Sequence, residues 1–177
     1  HTDIKKDPHS GGRQMNCHFG TRLLNENGDW KTQTDMMNSV SDISCVSGQM
    51  PRIVGLAYAS KLYRNNKNLS DMENFSINGN EVVFGTIGDA STSEGHFWEA
   101  INACGVLQVP LIMSIWDDGY GISVPSEYHT TRNDLSKALS GFQRSSKKEN
   151  GYEIFTVHAW DYICLLYTSD AADESVC

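Results

Sequence analysis

Two short apolar runs, each ending in an acidic, glycine-bearing loop and separated by one helical pattern, constrain this chain more than any other feature. Val82-Val83-Phe84-Gly85-Thr86-Ile87 stops at Gly88-Asp89. Pro110 opens Leu111-Ile112-Met113-Ser114-Ile115, which stops at Asp117-Asp118-Gly119-Tyr120-Gly121. Short runs without strict alternation predict parallel strands covered on both faces. Proline is tolerated at a strand's first residue because no ladder bond is lost there. Between the runs, Phe97, Ala100, Ile101, Cys104 and Leu107 recur at helical spacing and predict a helix with one apolar face. Ser91 followed by Glu94 fits a capping box at its start.

The flanking segments extend this pattern. Pro51 suits the first position of a helix that continues through Ile53, Val54, Leu56, Ala57, Tyr58, Ala59 and Leu62. Apolar residues on nearly all its sides predict burial all round. Residues 1–40 read as loop with one short helix, and residues 64–80, rich in asparagine, as a surface connection. A further helix is expected near Leu135–Phe142 and a third strand at Tyr152–Val157. Strand, helix, strand, helix, strand predicts an α/β fold: a right-handed parallel sheet with helices on both faces, three layers in all. No internal repeat is present.

Charge narrows the partners. The 22 acidic residues against 14 basic give a net charge of −8, which argues against a nucleic-acid partner, since that needs a basic face. No apolar run reaches the roughly 18 residues of a membrane span, so no membrane partner is expected. Cys17, Cys45, Cys104, Cys164 and Cys177 form neither a CxxC pair nor a zinc-like spacing with histidine. With no secretion-signal pattern in view, reduced thiols and a cytoplasmic location are expected. The glycosylation-like triplets at Asn68 and Asn74 are then chance matches. The chain opens at His1 rather than methionine, so its natural beginning is expected upstream. Residues 164–177, from Cys164-Leu165-Leu166-Tyr167 onward, read like a translated sequencing-library adapter, and native sequence is expected to stop near Ile163. Residues 1–163 then form part of one domain.

In parallel sheets, ligands bind beyond the carboxyl ends of the strands. Asp89 ends one predicted strand, and Asp117 and Asp118 end the next, so the crossover should bring Asp89 and Asp118 to one edge although 29 positions separate them. The helix start between them offers free N–H groups and a positive dipole end, which favour phosphate. Two carboxylates beside a phosphate suit magnesium, which takes six oxygens and shares them with phosphates. A solvated acidic loop with an ordinary cap would look the same, and spacing alone does not choose between them.

The residues themselves are more specific. Gly88-Asp89-Ala90-Ser91-Thr92-Ser93-Glu94-Gly95, followed by Trp116-Asp117-Asp118-Gly119-Tyr120-Gly121-Ile122-Ser123, resembles the thiamine-diphosphate fingerprint, which a GDG opens and an asparagine pair closes. The second segment is similar to the Asn-Asn-Gly-Tyr-x-Ile-Ser of 2-oxo acid dehydrogenase alpha subunits, the decarboxylating component. Gly12-Arg13-Gln14-Met15 with His18, and Gln49-Met50-Pro51 leading into Gly55-Leu56-Ala57-Tyr58-Ala59, resemble the same subunit. The resemblance spans residues 7–163.

It implies a fragment of the thiamine-diphosphate-binding domain, with thiamine diphosphate and magnesium as cofactors. Asp89, Asp118 and the Tyr120 carbonyl would ligate magnesium. Gly88, Ala90 and Ser91 would face the diphosphate, and Ser44 and Val46 the aminopyrimidine and thiazolium region. Arg13 and His18 would shape the cofactor pocket, His18 being the one catalytic candidate. The implied reaction is oxidative decarboxylation of a 2-oxo acid with acyl transfer to a lipoyl carrier. The implied partners are a pyrimidine-binding beta domain or subunit, a lipoyl-bearing acyltransferase and the 2-oxo acid, in an oligomer. The diphosphate-gripping Tyr-Arg pair, the downstream catalytic histidine and the activating glutamate would all lie outside this fragment, which alone should be inactive.

The departures are specific too. Ala90 replaces the second glycine, which is harmless only at negative φ. Asp117-Asp118 replaces the asparagine pair, and Trp116 stands where branched-chain-type relatives carry arginine, so negative charge is added and a cation lost. Ile43 and Gly48 stand at hydroxyl positions of the family's potassium loop, and no potassium is expected. Two alternatives share these residues: transketolase-like ketol transfer, which the dehydrogenase-like segments disfavour, and a catalytically silent diphosphate-binding scaffold. Among single residues, Glu94 reads as a cap, His96 and His129 as surface histidines, Trp98 and Tyr58 as packing, and Cys104 as inert core.

Overall fold

The computed structural model describes residues 20–36, 38, 45–69 and 72–163. Arg13, His18, Ile43, Ser44 and the expected adapter-derived tail lie outside them.

The predicted crossover unit is present. Strand β1 (Val83–Gly88) leads through a 3-10 turn, Ala90–Ser93, into helix α2 (Gly95–Leu107), which returns to strand β2 (Leu111–Trp116). β1 and β2 pair in parallel from Val83 opposite Leu111 to Gly88 opposite Trp116. Before them runs helix α1 (Met50–Asn65), with Pro51 in its first turn. After them come a hairpin of β3 (Tyr120–Gly121) and β4 (Val124–Pro125), then helix α3 (Leu135–Leu139), continued by a 3-10 turn to Phe142. The chain is therefore a mixed α/β structure around a small parallel sheet.

Strand register explains where the core sits. Val83, Ile87, Leu111, Met113 and Ile115 share one face of the sheet, where Met50 and Ile53 of α1, Phe97, Ala100 and Ile101 of α2, and Leu139 of α3 close over them. Gly85 lies on that face because α1 crosses closely. A Cβ there would sit 2.6 Å from Ile53 Cδ1, so a side chain would push the helix off the strand. On the other face, Phe84 is 64% exposed, Ile112 56% and Trp116 68%. Among the described residues the sheet is covered on one face, not on both as expected. An apolar run states that two faces can be buried; only packing decides which are.

Three more expectations change. Helix α1 buries one stripe, Met50, Ile53, Ala57 and Ser60, while Leu56, Tyr58 and Leu62 are exposed. Its alanines and tyrosines are compatible with burial without requiring it. The third strand is reduced to a single bridge between Gln143 and Tyr152. Alternation let Ile154 reach the core and left Phe155 exposed, but it does not bring a backbone against a sheet edge. The capping box does not form: Ser91 lies inside the 3-10 turn, and Glu94 caps α2 without a side-chain bond. His96 is exposed, as expected, and Cys104 is buried. Burial pushes the Cys104 thiol pKa up, consistent with an inert core thiol.

Candidate functional site

The site forms where β1 and β2 end together. The Asp89 N–H donates to the Trp116 carbonyl at 3.0 Å, which carries the parallel ladder one residue past the sheet and fixes Asp89 beside the Asp117-Asp118 loop. The Asp89 carbonyl accepts from the Thr92 N–H at 3.0 Å and the Thr92 hydroxyl at 2.6 Å, tightening the turn that follows. These bonds leave Asp89 only 3% exposed.

Burial of that carboxylate is not matched by partners. Asp89 Oδ2 is a buried atom without a hydrogen-bond partner. Burial first, and then the charges of Asp117 and Asp118, push the Asp89 pKa above its ordinary value, against the Ala90 N–H and His129, which lower it. A buried anion facing two more anions is stabilised by a cation. A small cleft beside it, about 160 Å³ including space open to solvent, is lined by Asp89, Asp117, Ser126, Thr130, Asn133, Asp134 and Leu135.

Asp117 and Asp118 each fold back on their own loop. Asp117 Oδ1 accepts from the Gly119 N–H at 3.1 Å and Asp118 Oδ1 from the Tyr120 N–H at 3.0 Å. Such bonds hold a turn and leave each carboxylate a free oxygen. Asp118 is exposed and lies outside the lining of the small cleft. Tyr120 pairs with Pro125 across the hairpin; proline has no N–H, so it makes no claim on the Tyr120 carbonyl.

The diphosphate candidates surround the same turn. Ala90 does not have positive φ, so the alanine is tolerated in place of glycine. Its methyl lies against Gly121, where an added Cβ would come within 2.7 Å of Ala90 Cβ. The glycine at 121 thus makes room for the alanine at 90. Gly88 faces open space on the side where a Cβ would stand. Val46 is exposed in the turn before α1. Its neighbour Ser47 donates from Oγ to the Ser91 carbonyl at 2.5 Å, bringing the two turns together.

Two participants were missed in the sequence. Ser47 has φ of 60° and carries no motif. His129, expected at the surface, has only 14% of its side chain exposed, and its Nε2 lies 4.0 Å from Asp89 Oδ2. Its place followed from neither spacing nor composition.

Among the described residues, no group of three or more histidine, cysteine, aspartate or glutamate side chains is arranged to hold a metal alone. The candidate donors are instead two carboxylates and one carbonyl, all oxygens. That set suits a hard cation completing its shell with phosphate and water. The donor set is therefore compatible with magnesium, with the buried Asp89 carboxylate at its centre.

Comparison with known proteins identifies the family. Residues 6–171 match the profile of the dehydrogenase E1 component family. The chain is 29% identical over 152 residues to the 2-oxoisovalerate dehydrogenase subunit alpha of Bacillus subtilis strain 168, covering 86% of this chain and 38% of that one. It is 26% identical over 147 residues to the mitochondrial 2-oxoisovalerate dehydrogenase subunit alpha of Bos taurus, covering 83% and 26%. Against the corresponding Caenorhabditis elegans subunit it is 32% identical over 115 residues, covering 65% and 21%. The chain thus spans well under half the length of these relatives. Matched by the family profile over nearly all its residues, it belongs to the dehydrogenase E1 component family.

Proposed function

We propose that the complete protein oxidatively decarboxylates a 2-oxo acid on thiamine diphosphate and passes the acyl group to a lipoyl carrier, and that this chain supplies the diphosphate and magnesium half-site. The observation that carries the proposal is Asp89: a buried carboxylate with one oxygen lacking a hydrogen-bond partner, at the carboxyl ends of two parallel strands, beside two further carboxylates. Thiamine diphosphate, when bound, supplies the carbanion chemistry. The chain's part is anchoring. Asp89, Asp118 and the Tyr120 carbonyl hold magnesium; Gly88, Ala90 and Ser91 face the diphosphate; Ser44 and Val46 approach the ring region. Each unit charge at about 4 Å is worth roughly 1–4 kcal/mol at surface-like dielectric, so without a cation these aspartates would repel the diphosphate strongly.

The complete protein is proposed to be cytoplasmic and oligomeric, with a pyrimidine-binding beta domain or subunit and a lipoyl-bearing acyltransferase as partners. The exposed Phe84, Ile112 and Trp116 support a second layer over the open sheet face, completing three layers. The relatives named 2-oxoisovalerate dehydrogenases make 2-oxoisovalerate the first substrate to try.

The test is calorimetry of thiamine diphosphate binding to the full-length protein across a magnesium titration. Binding should require the metal, Asp89→Ala should abolish it, and Asp118→Asn should relax the dependence on metal concentration. Equal affinity with and without chelator would overturn the proposal.

A further inference from the structure

We infer that His129 is a positioning residue for Asp89, its Nε2–H holding one carboxylate oxygen so that the other is presented to the cation; this rests on the proposed magnesium site. Among the described residues only three buried side-chain polar atoms lack a partner, and two of them, Asp89 Oδ2 and His129 Nε2, face each other at 4.0 Å. Buried polar atoms are otherwise almost always paired. Two complementary orphans one short movement apart are arranged to meet.

The ring's other nitrogen accommodates the tautomer that the carboxylate requires. His129 Nδ1 lies 2.9 Å from Thr130 Oγ1. With the threonine hydroxyl donating, the neutral ring carries its proton on Nε2 and aims it at the carboxylate. The opposite tautomer would set a lone pair against an anion. The acceptor-only carboxylate thus favours the proton on Nε2, and the hydroxyl turns to match. The backbone holds the ring in place: the His129 N–H donates to the Ser126 carbonyl at 3.1 Å, and the His129 carbonyl accepts from Ser93 Oγ at 2.8 Å. The ring also lies against Gly121, with Cδ2 and Nε2 3.7 and 3.8 Å from where a Cβ would stand.

His129 as a direct ligand fits less well. Magnesium prefers oxygen, and neighbouring ligands of an octahedral ion at about 2.1 Å stand roughly 3 Å apart. A histidine N–H on the remote oxygen of a liganding carboxylate needs no such geometry, and supports of this kind alter metal affinity by roughly 10–100-fold.

The test measures magnesium affinity of the full-length protein at saturating thiamine diphosphate, by calorimetry, together with thermal stability. His129→Phe, which keeps a ring and loses the donor, should weaken magnesium binding about tenfold. His129→Gln, which can offer an N–H at a similar reach, should restore it to within about threefold at unchanged stability. Thr130→Val, which removes the Nδ1 partner, should produce a smaller loss. Wild-type affinity in His129→Phe overturns the inference, and so does equal loss in His129→Phe and His129→Gln. If His129→Phe fails to fold, Thr130→Val decides, and wild-type affinity there overturns it. Metal-independent cofactor binding by the wild type would instead overturn the proposed magnesium site itself.

Discussion

Two carboxylates of this molecule sit a few residues apart in sequence and in opposite circumstances. Glu81, just before β1, is fully engaged. Its Oε1 accepts from the Ile77 N–H at 2.6 Å and its Oε2 from the Ser76 hydroxyl at 2.7 Å, while Ser60 of α1 donates to its carbonyl at 2.7 Å. Arg64 of α1 reaches the Gly79 carbonyl in the same loop. Burial pushes the Glu81 pKa up, but the Ile77 and Ser76 bonds and the Arg64 charge outweigh it and hold the pKa below its ordinary value. Asp89, just after β1, is more deeply buried, has an oxygen without a partner, and is pushed the other way. The first carboxylate fastens a loop to a helix. The second is held in a state that a bound cation would relieve. A polar group that serves the fold is satisfied within the fold, and one left unsatisfied is a candidate for the site.

The contrast can be broken at three places. The largest effect should come from Gly79→Ala, on the fastened side. Gly79 has φ of +67°, and a Cβ there would lie 2.5 Å from both the Arg64 N and the Ser60 carbonyl oxygen. The left-handed backbone and the crowding together should cost about 3 kcal/mol or more, read as a loss in chemical denaturation of the full-length protein. A variant as stable as wild type would show that the loop is not tightly seated on α1.

Glu81→Gln should cost less, about 1.5 kcal/mol near neutral pH, because charge-assisted bonds are replaced by neutral ones on a partly exposed group. The sign follows from the lowered pKa. The native carboxylate contributes stability above its unfolded value, ordinarily 4.5, and loses it as pH falls through the lower native value. Denaturation curves of wild type and variant should therefore converge in acid. A difference independent of pH would assign the loss to packing.

The smallest effect should have the opposite sign. In metal-free protein, Asp89→Asn should stabilise by about 1 kcal/mol near neutral pH, since it removes a buried charge with an unpartnered oxygen. The Asp89 pKa is raised above its ordinary 3.8, so the wild-type contribution is present in acid and is lost as pH rises through the native value. The gap between variant and wild type should open upward in pH and close with magnesium and diphosphate present. A variant less stable than wild type at neutral pH would mean that the Asp89 charge already has a partner.

The two sides also differed in how far they could be read beforehand. Asp89 and the Asp117-Asp118 loop were placed at one sheet edge by arithmetic on strand and helix lengths, and β1, α2 and β2 stand close to where the apolar periods put them. The capping box was misplaced because Ser91-Thr92-Ser93-Glu94 also suits a 3-10 turn, and Thr92, not Ser91, bonds back to Asp89. The Glu81 hub was not read at all. Its residues are common loop types at no diagnostic spacing, joined through α1, which lies more than 15 positions earlier at Ser60 and Arg64.

By itself the sequence determined the order of the elements, which strand faces could be apolar, the edge at which acidic residues collect and the family to which the chain belongs. These depend on local periods, turn residues and short motifs, all written along the chain. Tertiary structure alone decided which sheet face is covered, that α1 buries only a stripe, that the segment after Tyr152 does not join the sheet, and that His129 stands against Asp89. Each of these depends on which distant surfaces meet and on which polar atoms are left without partners when they do. Burial and the pKa shifts that follow from it are properties of that meeting, so no single stretch of sequence carries them.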